Sequence, residues 1–358
     1  MKYLHALNKI QGVGPQKMKM LLNFFPTHEE AWKTSLADLM ASGIGEKLSE
    51  KIVLERCNIN PDEEWSFLER EGIRMVTANN ENYPKLLREI ASPPFVIYTK
   101  GDFDPNSLPL VAIVGSRKFT QYGAQAATSF AHELSRAGIG IVSGMALGID
   151  TFAHRGALDA GGKTIAVLGD SLDEGSIYPR NNVNLSREIS QKGLLLSDYP
   201  PIMSAGKLTF PARNRIIAGL SLGTIVVEAG EQSGALLTAQ MALDYGREVF
   251  SVPGSIFSPQ STGTNGLIKR GARLVSSVSD ILEELELFLA HEKKPTTPKV
   301  AGTKEEELIL KTLTHEPLHI DNIGKLTKLS MAIVSSTLSM MEIKGWVKNI
   351  GGQNYIII

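Results

Sequence analysis

At 358 residues with 42% hydrophobic content, the chain is long enough to bury at least one large core and to hold two or three domains. Its single cysteine, Cys57, excludes a disulfide framework within the chain and fits a reducing compartment. A net charge of −1 excludes a uniformly basic body, so any contact with nucleic acid must come from a local patch.

The opening MKYLHALNKI lacks the apolar core of a signal peptide, and no apolar run is long enough to span a bilayer. A soluble, cytoplasmic protein without membrane contact is expected. The histidines (His5, His28, His132, His154, His291, His315, His319) are dispersed, and none joins Cys57 or an acidic cluster at ligand spacing. No metal and no cofactor are expected.

In chain order, residues 1–70 read as a helical domain with two similar turns, IQGVGPQKMKMLL from Ile10 and SGIGEKLSEKI from Ser42. Each sets an apolar residue between two glycines and then opens a helix. This resembles the helix-hairpin-helix motif (a SAM-like helical domain in outline), in which turn N–H groups and a helix N-terminus face a DNA phosphate. A plain bundle turn using glycine for a left-handed cap fits equally well. Lead-in strands IRMVT and FVIYTKG follow, around the breaker Ser92-Pro93-Pro94.

From Leu110 the strands LVAIVG, GIVSG, TIAVLG, GLLLSD, TIVVEA, REVFSVP and RLVSS alternate with helical stretches. That alternation predicts an α/β, Rossmann-like, mostly parallel sheet with helices on both faces, over roughly 105–290 and, with the lead-in strands, 71–290. A Lys-, Thr- and Pro-rich linker at 291–304 precedes three short helical patterns and a hairpin turning at Gly351-Gly352. Residues 305–358 are thus expected to form a winged helix. Its third helix offers serines and threonine with only Lys344 at its far end, which favours protein docking or a weak accessory contact with DNA over sequence reading.

The loops at the strand ends carry the chemistry. Gly115-Ser116-Arg117 opens a loop that lets N–H groups approach a phosphate beneath full positive charge, yet it is neither a Walker loop nor GxGxxG. Asp150 reads as a cap. Lys207 and Phe210 lie just ahead of Arg213, Asn214 and Arg215. Cations beside an exposed aromatic suit a nucleic acid strand, with phosphate on the charge and a base on the ring. Against this, Phe210 could anchor a loop on the sheet, both arginines could be solvated and Asn214 could be a cap. The strand-end carboxylates Asp170, Asp198 and Glu228 have no nucleophile arranged with them, and caps or partners for the arginines explain them more simply than catalysis does.

The series VGSRKFTQYG, SGMALGID, TIAVLG, FPARNRIIAGLS, VVEAGEQSGALLTAQMALDYGREVFSVPG and GTNGLIKRGARLV resembles the DNA-processing protein A family (DprA, also called Smf). The match runs in order through the whole Rossmann-like region, and the three-part layout also fits. The resemblance implies a non-enzymatic, homodimeric single-stranded DNA binder that protects incoming DNA in natural transformation and loads the recombinase RecA onto it. Carried over motif by motif, it places the DNA pocket at Gly115, Ser116, Arg117, Lys207, Phe210, Arg213, Asn214 and Arg215. It also makes Ile268 and Leu274 candidate apolar residues of a dimer interface. A second resemblance points elsewhere: lysine-decarboxylase-like (LOG) enzymes, which cleave nucleoside monophosphates, carry PGGxGTxxE on a related fold. Here the matching stretch, AGLSLGTIVVE ending at Glu228, lacks the Pro-Gly-Gly start and sets the glutamate one residue late. A one-residue displacement along a strand turns a side chain to the other face, which argues against hydrolysis.

Overall fold

The computed structural model describes residues 1–202, 209–289, 303–313, 318–344, 346–349 and 351–357. The chain divides into two compact units, Met1–Leu287 and Phe288–Ile358.

The first unit opens with helices α1 (Lys2–Lys9), α2 (Pro15–Phe24), α3 (His28–Lys33), α4 (Leu36–Ala41), α5 (Glu46–Glu55) and α6 (Pro61–Glu71). The two glycine turns join α1 to α2 and α4 to α5. Gly12 and Gly43 adopt φ of +107° and +82°, which side chains rarely tolerate. The turns pack reciprocally. A methyl on Gly12 would sit 3.2 Å from Leu48 of α5, and one on Gly43 would sit 3.1 Å from Met20 of α2. The two hairpins therefore bury each other, and Leu4, Leu7, Met18, Leu21, Leu39 and Ile52 fill the space between.

This layer seats on the sheet through Tyr98, whose hydroxyl meets His5 Nδ1 at 2.9 Å and accepts from Asn8 Nδ2 at 3.0 Å. Burial pushes the His5 imidazole down to about 4.

The sheet has nine strands: β1 (Arg74–Thr77), β2 (Val96–Lys100), β3 (Leu110–Val114), β4 (Gly140–Ser143), β5 (Thr164–Val167), β6 (Leu194–Ser197), β7 (Gly223–Val226), β8 (Glu248–Ser251) and β9 (Arg273–Leu274). Their spatial order is β1-β2-β6-β5-β4-β3-β7-β8-β9. The seven strands from β3 onward pair parallel, and the lead-in strands β1 and β2 add antiparallel to β6. The interleaved helices are α7 (Lys85–Arg88), α8 (Gln121–Arg136), α9 (Ile149–Asp159), α10 (Val183–Lys192), α11 (Thr209–Leu220), α12 (Gly234–Asp244), α13 (Thr262–Lys269) and α14 (Val278–Leu289).

β3 is apolar throughout because both of its faces are covered. Val111 and Ile113 pack with Ala127 and Leu134 of α8, Ala153 of α9 and Ile281 of α14. Leu110, Ala112 and Val114 pack with Ile216 and Ile217 of α11 and with Ala239 of α12. From β3 the chain steps outward through β4, β5 and β6. It then crosses back to place β7 on the other side of β3. Strand order thus reverses between β3 and β7, where an open α/β sheet leaves a crevice beyond its strand ends. Among the described residues, no helix is long and apolar enough to cross a membrane.

The second unit holds α15 (Lys304–Thr312), β10 (Leu318–His319), α16 (Ile320–Thr327), α17 (Met331–Ile343), β11 (Val347–Asn349) and β12 (Asn354–Ile357). Its three-stranded antiparallel sheet runs β10-β12-β11. The β11–β12 hairpin turns through Gly351 and Gly352, both at positive φ, as a winged helix requires. The short strand β10 was not expected from the sequence. Lys344 at the end of α17 pairs with buried Glu306 at 2.5 Å and lies 4.8 Å from the Trp346 ring. That cation is engaged within the unit, while Met331, Ile333 and Met340 of α17 are exposed.

Candidate nucleic-acid interface

The crevice at the β3/β7 switch encloses about 910 Å³. The loop after β3 contributes Gly115, Ser116, Arg117 and Lys118, the first turns of α11 contribute Phe210, Arg213 and Asn214, and the turn into α12 with the helix start contributes Gly230, Gln232, Ser233, Gly234 and Thr238. These segments lie far apart in the chain and meet only because parallel strands all end on the same side.

The loop after β3 is held rigid from beneath. Ser116 Oγ accepts from Lys118 N–H at 3.0 Å and lies 3.0 Å from Gln260 Oε1. Glu228, only 2% exposed, accepts from Thr120 N–H at 2.9 Å and from Thr120 Oγ at 2.5 Å. Thr120 in turn caps α8 by accepting from Gly123 N–H. Arg117 and Lys118 stand exposed above this base. The Arg117 guanidinium carbon is 5.3 Å from the centroid of Phe210, within cation–π range.

Arg213 occupies a different position from Arg117. It is 3% exposed, and its Nη1 donates to the carbonyl of Val167 at the end of β5. Burial lowers its guanidinium, an effect that nearby Asp150 and Asp170 oppose without cancelling. Gly144 permits this approach, because a Cβ there would overlap the guanidinium. Asp150 Oδ2 accepts from Gly144 N–H at 3.2 Å and Ala146 N–H at 3.3 Å, which clasps the loop after β4. Burial raises the Asp150 carboxyl, against Arg213 and those N–H groups. Asp170 is pushed up to about 7 by burial, against the backbone of Tyr178 and the charge of Arg213. Arg213 therefore supplies positive potential from below the crevice floor and does not reach into the solvent.

Of the remaining sequence candidates, Asn214 lines the crevice, with Nδ2 3.4 Å from the carbonyl of Gly234. Arg215 does not line it: Nη1 donates to Ser92 O at 2.7 Å and Nη2 pairs with Asp198 at 2.5 Å. Lys207 lies outside the described residues. Ile268 is half-buried on α13, and Leu274, 47% exposed, sits on the outermost strand β9.

Lys118, Tyr178 and Gln260 also line the crevice without having been singled out in the sequence. Lys118 was recoverable, since it follows Arg117 in the same loop. Tyr178 and Gln260 follow β5 and β8, and only the rule that loops at the carboxyl edge converge would have pointed to them.

The arrangement suits an anion. Two exposed cations, a buried third and the N-terminus of α12 converge, and Asp150, a carboxylate that lines the crevice, is engaged by backbone donors and lies beside Arg213. The helix start turns the positive end of its dipole to the crevice, with Ser233 capping it by accepting from Ala235 N–H at 3.3 Å. Asp198 is held by Arg215. Glu228 follows β7 but turns under α8, away from the crevice, where a hydrolytic glutamate could not meet a ligand.

Two family models match the chain: "DNA recombination-mediator protein A" over residues 74–286 and "DprA winged helix domain" over 293–353. The chain is 36% identical to Protein Smf of Synechocystis, over 99% of its own length and 98% of that protein. It is 44% identical to DNA processing protein DprA of Bacillus subtilis, over 60% of its length and 72% of that protein. Among solved structures, DprA from Streptococcus pneumoniae superposes with a TM-score of 0.67 at 35% identity, covering 79% of this chain and 98% of that one. DprA from Helicobacter pylori, described for its single-stranded DNA binding mode, gives 0.54 at 35% identity over 60% of this chain and 96% of that one. Matches of this length and identity, over the same parallel sheet and the same winged helix, place the chain in the DNA-processing protein A (DprA/Smf) family.

Proposed function

We propose that residues 71–290 form a body that binds single-stranded DNA without catalysis, seating phosphates on Arg117, Lys118 and the start of α12, with Lys207 as a further cation. The observation that carries this reading is the crevice itself: exposed cations beside paired aromatic rings at the sheet's switch point. Such a site tracks the backbone and tolerates any sequence. The single-stranded DNA binding of the Helicobacter relative supports it. By the same family likeness the protein acts in the cytoplasm as a homodimer, protects incoming strands during transformation and passes them to RecA. The winged helix, 305–358 beyond a 291–304 linker, serves a partner protein or an accessory contact.

The test is equilibrium binding of single- and double-stranded oligonucleotides of several sequences across a salt series. Tight, sequence-indifferent binding of the single strand is expected. Arg117→Ala should weaken it uniformly and flatten the salt dependence by about one unit. An Arg117→Ala protein that is folded and keeps wild-type affinity and slope would remove the crevice as the site.

A further inference from the structure

We infer that Tyr178 is the base-stacking surface of this crevice and that Phe210 is a positioning residue acting through it. The inference rests on the single-stranded DNA reading above and names which ring receives a base.

Phe210 is the aromatic the sequence points to, but its ring is already engaged. Gly169 packs against it so closely that an added methyl would lie 3.0 Å from Cδ1 and 3.4 Å from Cα. The Arg117 guanidinium carbon lies 5.3 Å from its centroid. The Tyr178 ring meets it at 5.7 Å between centroids, tilted by 49°. Little of the Phe210 ring remains free to cover a base. Tyr178 lines the same crevice with half of its surface in water.

The loop that carries Tyr178 is built to hold it there. Ile177 on one side is 2% exposed, and Pro179 on the other is buried. Upstream, Asp173 accepts from Ser171 Oγ at 2.6 Å, Ser176 Oγ at 2.7 Å and Ile202 N–H at 3.0 Å. Downstream, Asn182 Nδ2 donates to Met145 O at 2.8 Å and Thr151 Oγ at 2.9 Å. The residues on either side are buried and the segments beyond them are hydrogen-bonded at Asp173 and Asn182, while the large aromatic is left outward. An aromatic held rigid before its ligand arrives loses little entropy on binding, which is what a stacking platform needs. Arg117 links the parts: its cation leans on Phe210, Phe210 leans on Tyr178, and a nucleotide can set its phosphate on the first and its base on the last. Stacking uses the π-face that every base has, so the site remains sequence-tolerant.

The experiment compares full-length wild type, Tyr178→Ala, Tyr178→Phe, Phe210→Ala and Arg117→Ala. Each is titrated with an oligothymidine and with a fully abasic strand of equal length, and thermal melts check folding. Tyr178→Ala should bind oligothymidine about ten-fold more weakly, keep its salt slope, and bind the abasic strand as wild type does. Tyr178→Phe should retain affinity, because the ring is kept. Phe210→Ala should also lose affinity for oligothymidine, and a protein carrying both Tyr178→Ala and Phe210→Ala, titrated alongside, should lose less than the product of the two losses, since the two rings act as one unit. The inference is overturned if Tyr178→Ala binds oligothymidine normally while Arg117→Ala does not. It is equally overturned if Tyr178→Ala weakens both strands alike, which would make its role structural. If Arg117→Ala also binds normally, it is the DNA-binding reading of the crevice that fails.

Discussion

Replacing Glu228 by glutamine tests whether this residue is a structural clasp or a catalytic group. Glu228 is buried and accepts two hydrogen bonds from Thr120, one from the backbone and one from the hydroxyl, at the start of α8. A hydrogen bond to an ionised acceptor contributes about 1.5–3 kcal/mol net. Glutamine preserves shape and one acceptor, but it loses the charge that favours a helix N-terminus and turns an NH₂ toward a donor. We expect a loss of about 2–3 kcal/mol, since one of the two bonds is surrendered and one weakened. At about 2–4 °C per kcal/mol for a unit of this size, the melting temperature should fall by roughly 4–12 °C. Single-stranded DNA affinity should fall with it, because Thr120 ends the loop that carries Arg117. Calorimetry and binding would be measured together, beside an assay for ribose phosphate released from nucleoside monophosphates. An unchanged melting temperature combined with a nucleotide-cleaving activity that Glu228→Gln abolishes would refute the reasoning.

Three further outcomes follow from the geometry. Gly144→Ala puts a methyl into the Arg213 guanidinium, which the Val167 carbonyl pins in place, so the urea midpoint should drop by the equivalent of about 1–3 kcal/mol; a neutral substitution would mean the guanidinium is not confined. Asp170, at about 7 in the folded protein against about 3.9 unfolded, holds a proton in the native state that the unfolded chain releases, so stability should decline as pH rises from about 4 to 7. Asp170→Asn should flatten that part of the curve, and parallel curves for the two proteins would contradict the assignment. For the homodimer proposed above, changing exposed Leu274 on the edge strand β9 and half-buried Ile268 on the helix before it to glutamate should give monomers by sedimentation, with short oligonucleotides still bound and the avidity on longer ones lost, and a monomeric wild type would refute the dimer itself. A persisting dimer would put the interface elsewhere.

What the sequence determined by itself was whatever depends on local pattern. The five central strands, β3 to β7, are short, fully buried runs with glycine at one end or both, because burial on both faces leaves no alternation to blur them. The two glycine turns of the helical layer and the closing hairpin of the winged helix are likewise written in adjacent residues. Tertiary structure alone decided which way the functional side chains point. Arg213 and Arg215 stand two positions apart on α11, about 200° around the helix axis. One therefore lies under the crevice against Val167 and Asp150, and the other turns to Asp198 and Ser92. As a triplet in sequence they look equivalent; on a helix they cannot be. Tyr178 reaches Phe210 from a loop 32 positions earlier, brought there only because β5 ends on the same edge as the strands beside it. Glu228 likewise owes its role to Thr120, more than a hundred positions away in sequence, at the helix start that parallel pairing of β3 with β7 sets beside it.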